Sequence, residues 1–238
     1  MEQEDYSKIY EYESMGKEYA GEKACISLTS WKARINTVSK TLYSLIKMCP
    51  GFHIVLVLSK DEFPLMEKEL PDNLMLFVEN KLIELFWIRP NLKSFKKVLF
   101  TMDKYRDVPV ISADDDCIYT CNYAQELYNA WLMNKSVRFS LQNASRFGLT
   151  ILGGCSVIYP PNYFSMFNLS ILKQMTHLTE DDMLYALLSK KFNLKGRSLR
   201  VDLKKFIIFS NSIKPLSAIR HYDSKSDYYK IKKILSIK

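Results

Sequence analysis

The stretch HIVLVLS, His53 to Ser59, runs from Ile54 to Leu58 without a polar position. A strand with one wet face alternates polar and apolar residues. An unbroken apolar run between turn signals is the pattern of a strand in a parallel sheet covered by helices on both faces. The residues upstream complete such a unit. CISLT, Cys25 to Thr29, followed by Ser30, reads as a second buried strand. Between Arg34 and Cys49, Ile35, Val38, Leu42, Leu45, Ile46 and Cys49 recur at helical spacing, and Pro50 and Gly51 stop the helix. Strand, helix and strand together make a βαβ unit.

The pattern continues downstream. IELFWI, Ile83 to Ile88, reads as a third strand bounded by Arg89 and Pro90, and a helix from about Leu92 to Tyr105 leads into a fourth, VPVISA. Phe63 to Leu70 and Pro71 to Lys81 read as short helical or looped segments, and Tyr123 to Met133 as a helix. RFSLQN and CSVIYPP read as further strands, with Gly153 and Gly154 between them marking a tight turn or a close backbone approach. No repeat and no Ser/Gly-rich linker interrupts the chain. The expectation is one α/β domain over residues 1–238, Rossmann-like, with a central mostly parallel sheet, a mixed second half and a basic C-terminal segment.

Composition narrows the function classes. With 238 residues, 47% apolar and 13% aromatic, the chain can bury a sizeable core. No apolar run reaches the length of a bilayer span, and MEQEDYSKIYEYE is acidic where a secretory signal is basic and then apolar. The expectation is a cytoplasmic protein. The five cysteines form no CxxC pair and read as reduced and mostly buried. The formal charge of +8 is uneven: from Met183 onward fourteen Lys or Arg face only Asp202, Asp223 and Asp227. Such a basic segment suits anionic lipid, nucleic acid or a phosphorylated substrate, and equally a solvated face without a partner.

The fourth strand ends in Asp114, Asp115 and Asp116. Adjacent carboxylates repel, so the cluster costs stability unless a cation or solvent relieves it. A solvated acidic turn or a helix cap also looks like this. Position favours a site, because ligands of open parallel sheets bind beyond the carboxyl ends of the strands. A hard divalent ion, Mn²⁺ or Mg²⁺, takes oxygen ligands and bridges a protein to a diphosphate. Along an extended chain Asp114 and Asp116 point one way and Asp115 the other.

These pieces carry a resemblance. LTSWKAR after the first strand, SFKKVL before the fourth, ADDDCIY at its end, then GGCSVIYPP and LTEDDMLYALL occur in the order found in GT-A glycosyltransferases. The chain is similar to bacterial family 2-like enzymes that build surface polysaccharides, over most of residues 24 to 192. The resemblance implies a nucleotide-sugar-binding half at about 24–131, an acceptor half at about 132–220 and a tail at about 221–238. It implies a nucleoside-diphosphate sugar donor, UDP-linked for preference, and a glycan or lipid-linked glycan acceptor. Thr29, Ser30, Arg34, Lys97 or its neighbour Lys96, Asp114, Asp115 and Gly154 would serve the nucleotide sugar. Asp116, with Asp114, would hold the metal, and His221 is the late histidine that could complete its shell. Trp31 either stacks or packs, with packing favoured.

Direct displacement at an anomeric carbon needs a carboxylate base on the acceptor side. The family pattern assigns it to Asp181, with Asp182 as the alternative, and implies inversion. The same TEDD is also an ordinary capped helix start, with Thr179 as cap. His53 reads as structural, and His177 lies in the loop before these acids. In the tail, Tyr228, Ile231, Ile234 and Leu235 share one helical face, with Lys230, Lys232 and Lys233 elsewhere. That pattern suits an anionic membrane surface, hence a peripheral location at its inner face, or packing on the chain's own domain.

The reading is a metal-dependent, inverting hexosyl- or N-acetylhexosaminyl-transferase. A nucleotidyltransferase also uses acids and a metal at a strand edge, but normally has a Gly-rich loop where TSWKAR has no glycine. A non-enzymatic basic membrane- or nucleic-acid-binding module is the third reading. The late clustering of the basic residues argues against nucleic acid as partner.

Overall fold

The computed structural model describes residues 10–178, 180–209 and 224–237. Thr179 and His221 lie outside them. The first half runs β1 (Glu11–Gly16), β2 (Cys25–Thr29), α1 (Val38–Met48), β3 (His53–Ser59), α2 (Asp72–Glu79), β4 (Glu84–Arg89), α3 (Lys96–Lys104) and β5 (Val110–Ser112). Then come β6 (Cys117–Tyr119), α4 (Tyr123–Met133), β7 (Arg138–Ser140), β8 (Asn143–Arg146), β9 (Leu149–Leu152) and β10 (Val157–Tyr159). The chain continues with α5 (Asp181–Lys191), β11 (Gly196–Ser198), β12 (Ile207–Phe209) and α6 (Ser224–Ile234).

Eight strands form the central sheet in the order β1-β4-β3-β2-β5-β10-β7-β11. The inner strands β4, β3, β2 and β5 are parallel; β1, β10 and β7 run antiparallel to their neighbours on the β5 side or at the edge, and β11 pairs parallel with β7. The apolar run of β3 has its explanation here. Ile54, Leu56 and Leu58 enter the core layer beneath α1, α2 and α4, while Val55 and Val57 enter the layer with α3, α5 and α6. Each such side chain removed from water contributes about 1.5–3 kcal/mol, so both faces favour the same register.

Two differences from the sequence reading, and a choice between its two readings of the tail, follow from tertiary contacts. The first helix begins at Val38, because Trp31 to Thr37 form turns that bring Arg34 inward. The acidic N-terminal segment contains β1, which pairs along β4 from Glu11↔Arg89 to Gly16↔Glu84 and covers that edge. The tail helix packs on its own domain: Ile231 and Leu235 are fully buried, and Lys191 Nζ donates to Leu235 O at 2.7 Å. Lys225, Lys230 and Lys233 remain exposed. Among the described residues no helix is long and apolar enough to cross a membrane.

Candidate active site

The carboxyl ends of β2 and β5, the start of α3 and the start of α5 surround a cavity of about 410 Å³. Five basic and seven acidic side chains line it, so its chemistry is set by how these charges pair.

On one wall the three aspartates have separate surroundings. Asp115 is buried, accepting from Ser30 Oγ and from Arg34 Nη1, both at 2.7 Å. Burial raises its carboxyl above the ordinary value, with Arg34 and Ser30 opposing. Burial would lower Arg34, but Asp115 and Asp116 outweigh it and raise the guanidinium. The same Nη1 lies 3.1 Å from Asp116. Thr41 of α1 fastens the acidic turn by donating to the carbonyls of Asp115 and Cys117 at 3.1 and 2.8 Å. Tyr119 Oη accepts from Asp114 N and donates to Cys155 O, both at 3.0 Å, which ties the acids to the Gly-rich segment. The motif's tyrosine is therefore a brace.

Lys97 joins the two walls. The first turn of α3 buries its side chain, with Nζ 2.7 Å from Asp114 Oδ1 and 3.1 Å from Asp181 Oδ2. Burial would lower its pKa, yet Asp114, Asp181 and Asp182 hold it well above the ordinary lysine range. On α5, burial raises the Asp181 carboxyl against the pull of Lys97, and raises that of Asp182, helped by Asp181. Two adjacent acids in low dielectric do not ionise independently. Asp182 Oδ2 accepts from Gly154 N at 3.1 Å, and a Cβ on Gly154 would stand 2.6 Å from Asp182 Oδ1. Gly154 is thus needed for close approach. Asp182 Oδ1 itself has no hydrogen-bond partner.

The cavity wall includes Thr29, Ser30, Arg34, Lys97, Asp114, Asp115, Asp116, Asp181 and Asp182 from the sequence candidates. Gly154 stands behind Asp182, and Thr29 Oγ1 donates to Val57 O at 2.6 Å. His177 does not line it, and His53 is buried against Glu84. Glu62, Lys93, Ser94, Arg146 and Glu180 line it without a sequence assignment, and Trp31 and Lys96, named in the sequence as alternatives, line it too. Trp31 lines the cavity with its Nε1 buried and without a partner. Lys96 is buried beside Lys97, donating to Lys93 O at 2.9 Å, and burial lowers it to about 8. Glu180 caps α5 backbone-wise, and burial pushes its carboxyl up to about 7 against Arg146. Glu180 was visible in the TEDD string; Arg146 carried no sequence signal.

Asp114 and Asp116 offer hard oxygens, and their side chains are 35% and 23% exposed at the cavity. Among the described residues no three Asp, Glu, His or Cys side chains form a cage. Mg²⁺-type sites need only one or two carboxylates when phosphates supply further oxygens, so the pair fits an open, substrate-completed site.

Architecture and site geometry together define a GT-A, Rossmann-like domain. Solved structures agree. The chain aligns with S. aureus TarS 1-349 in complex with UDP-GlcNAc at a TM-score of 0.56 and 12% identity, covering 90% of this chain and 66% of that one. It aligns with a further structure of S. aureus TarS at 0.54 and 13% identity, covering 90% and 39%. The chain therefore spans just under two thirds of the shorter TarS structure. Likeness at this identity shows the fold. Neither a family model nor a curated protein matches the sequence.

Proposed function

We propose that the chain is an inverting glycosyltransferase that moves a hexosyl or N-acetylhexosaminyl group from a nucleoside-diphosphate sugar, UDP-linked for preference, to a glycan or lipid-linked glycan in surface-polysaccharide synthesis. The observation that carries this is Lys97, whose one ammonium touches Asp114 on the donor wall and Asp181 on the acceptor wall. TarS, bound to UDP-GlcNAc, has the same fold and supports a nucleotide-sugar ligand. The donor half is residues 24–131 and the acceptor half 132–220.

In this reading Thr29, Ser30 and Trp31 receive the nucleoside, with Arg34 and Asp115 keeping their loop in shape. Asp116 and Asp114 would hold a Mn²⁺ or Mg²⁺ ion, which would supply positive charge to a leaving diphosphate. Lys97, buried between Asp114 and Asp181, adds a fixed cation. Asp181 takes the proton of the acceptor hydroxyl, and its raised basicity suits that task. Asp182, fixed by Gly154, holds the acid pair in register. The exposed lysines of α6 support contact with an anionic membrane surface carrying the acceptor.

Calorimetric titration of UDP, GDP, CMP and TDP, with and without Mn²⁺, into the wild type and Asp116→Ala tests the donor site. The expected result is metal-dependent binding of one diphosphate that the variant loses. Absence of binding by all four would sink the reading.

A further inference from the structure

At the rim of the cavity, one cation has an inadequate partner. β8 and β9 pair from Asn143↔Leu152 to Arg146↔Leu149, so Phe147 and Gly148 alone make the turn. Both have positive φ, 51° and 70°, as a two-residue type I′ hairpin requires. A phenylalanine in the left-handed region is strained and needs support from its surroundings. Its ring stacks on Tyr228 of α6, with centroids 4.8 Å apart and planes at 19°. Beneath the turn Leu149, Ile151 and Leu152 are buried in the layer that contains α5. The hairpin tip is thus held from both sides, and it presents Arg146 to the cavity.

Arg146 is half exposed, and among the described residues its single ionic partner is Glu180, at 3.9 Å. That separation is too long for hydrogen bonding. Glu180 is only 6% exposed, and its Oε1, buried at the cavity wall, has no hydrogen-bond partner. A guanidinium with unused donors therefore faces a buried, unsatisfied carboxyl group. Phosphate and carboxylate match the guanidinium fork bidentately, which Glu180 at this distance does not.

We propose that Arg146 is the recognition residue for an anionic group, phosphate or carboxylate, on the acceptor, received at the rim between the β8–β9 hairpin and Glu180. The proposal rests on α5 being the acceptor side. Burial, with Asp181 and Asp227 beside it, opposes the ionisation of Glu180, so Glu180 competes little with an anion for Arg146. Arg146 then serves as a specificity determinant, separate from the base.

The test uses glucose 6-phosphate, glucuronate and glucose as probes, titrated into the full chain with and without UDP and Mn²⁺. In the wild type the charged sugars should bind about tenfold tighter than glucose, the scale of one charge-assisted contact. Arg146→Gln should bring them to within about twofold of glucose, and Arg146→Lys should restore part of the difference. UDP affinity should be equal in all three proteins. The stronger of the two charged probes identifies the group. Equal binding of charged and neutral sugars by the wild type, or an advantage that survives in Arg146→Gln, overturns the proposal. Failure of UDP to bind would count against the donor site alone, because the nucleotide-free titrations still decide the role of Arg146.

Discussion

The sheet buries charge at both of its ends, and the two clusters behave in opposite ways. At the amino ends of β3 and β4, Glu84 is 2% exposed and receives His53 Nε2 at 2.7 Å, Tyr105 Oη at 2.5 Å and Lys104 Nζ. Burial would raise its carboxyl, but these donors outweigh burial and lower it. Glu22, facing His53 Nδ1 at 3.8 Å, is held by Lys17 at 2.7 Å and Ala20 N at 2.8 Å, and lies at about 2. At the carboxyl ends, Asp181, Asp182 and Glu180 share fewer donors, and all three are raised. The difference lies in donors per acid. An acid with several donors is part of the frame, whereas an acid short of donors beside a cavity keeps capacity for a ligand or a proton.

The largest expected effect tests the open cluster. Asp181→Asn should lower sugar transfer by about 10²–10⁴-fold, the usual weight of a general base, while nucleotide binding stays close to wild type. Full transfer by the variant would remove the base from this residue. Next comes the closed cluster. Glu84→Gln strips Lys104 of its buried counter-charge and weakens the hydrogen bonds of His53 and Tyr105, and should cost about 3–5 kcal/mol in urea unfolding, with UDP affinity unchanged. An equal loss of nucleotide binding would show that the two ends are not independent.

The smallest effect concerns pH, where the clusters have opposite signs. Glu84 is lowered in the fold, so its contribution is present above its ordinary value of 4.5 and is lost as pH falls through the lower folded value. Glu180 is raised from 4.5 to about 7, so its contribution is present below 4.5 and is lost as pH rises through 7. Unfolding free energies from urea titrations at about pH 5 and about pH 8 should therefore converge in Glu180→Gln, by roughly 1–3 kcal/mol, while the acid limb persists. An unchanged difference between the two pH values would contradict the burial of that carboxyl.

Much of the frame was legible because local pattern and global position agreed. The two-faced strand at Ile54 to Leu58, the helix from Tyr123 to Met133 and the acids after β5 all follow from periodicity and strand polarity. β1 was not legible, since its residues alternate weakly and gain their reason from the edge of β4. The hairpin of β8 and β9 was missed as well: all four residues of β8 are exposed, and Phe147 stands where Asn or Gly usually signals the turn.

The sequence by itself determined the α/β layering and which end of the sheet would collect the acids, because side-chain period and chain direction are local properties. Only the tertiary structure decided what each charge does. Lys97 and Asp181 are 84 positions apart in the numbering, yet they meet at 3.1 Å. Glu84 and Glu180 have the same side chain, yet one is lowered and the other raised. A carboxyl group's behaviour depends on the donors and the burial around it, and both arise from parts of the chain that come together only in the fold.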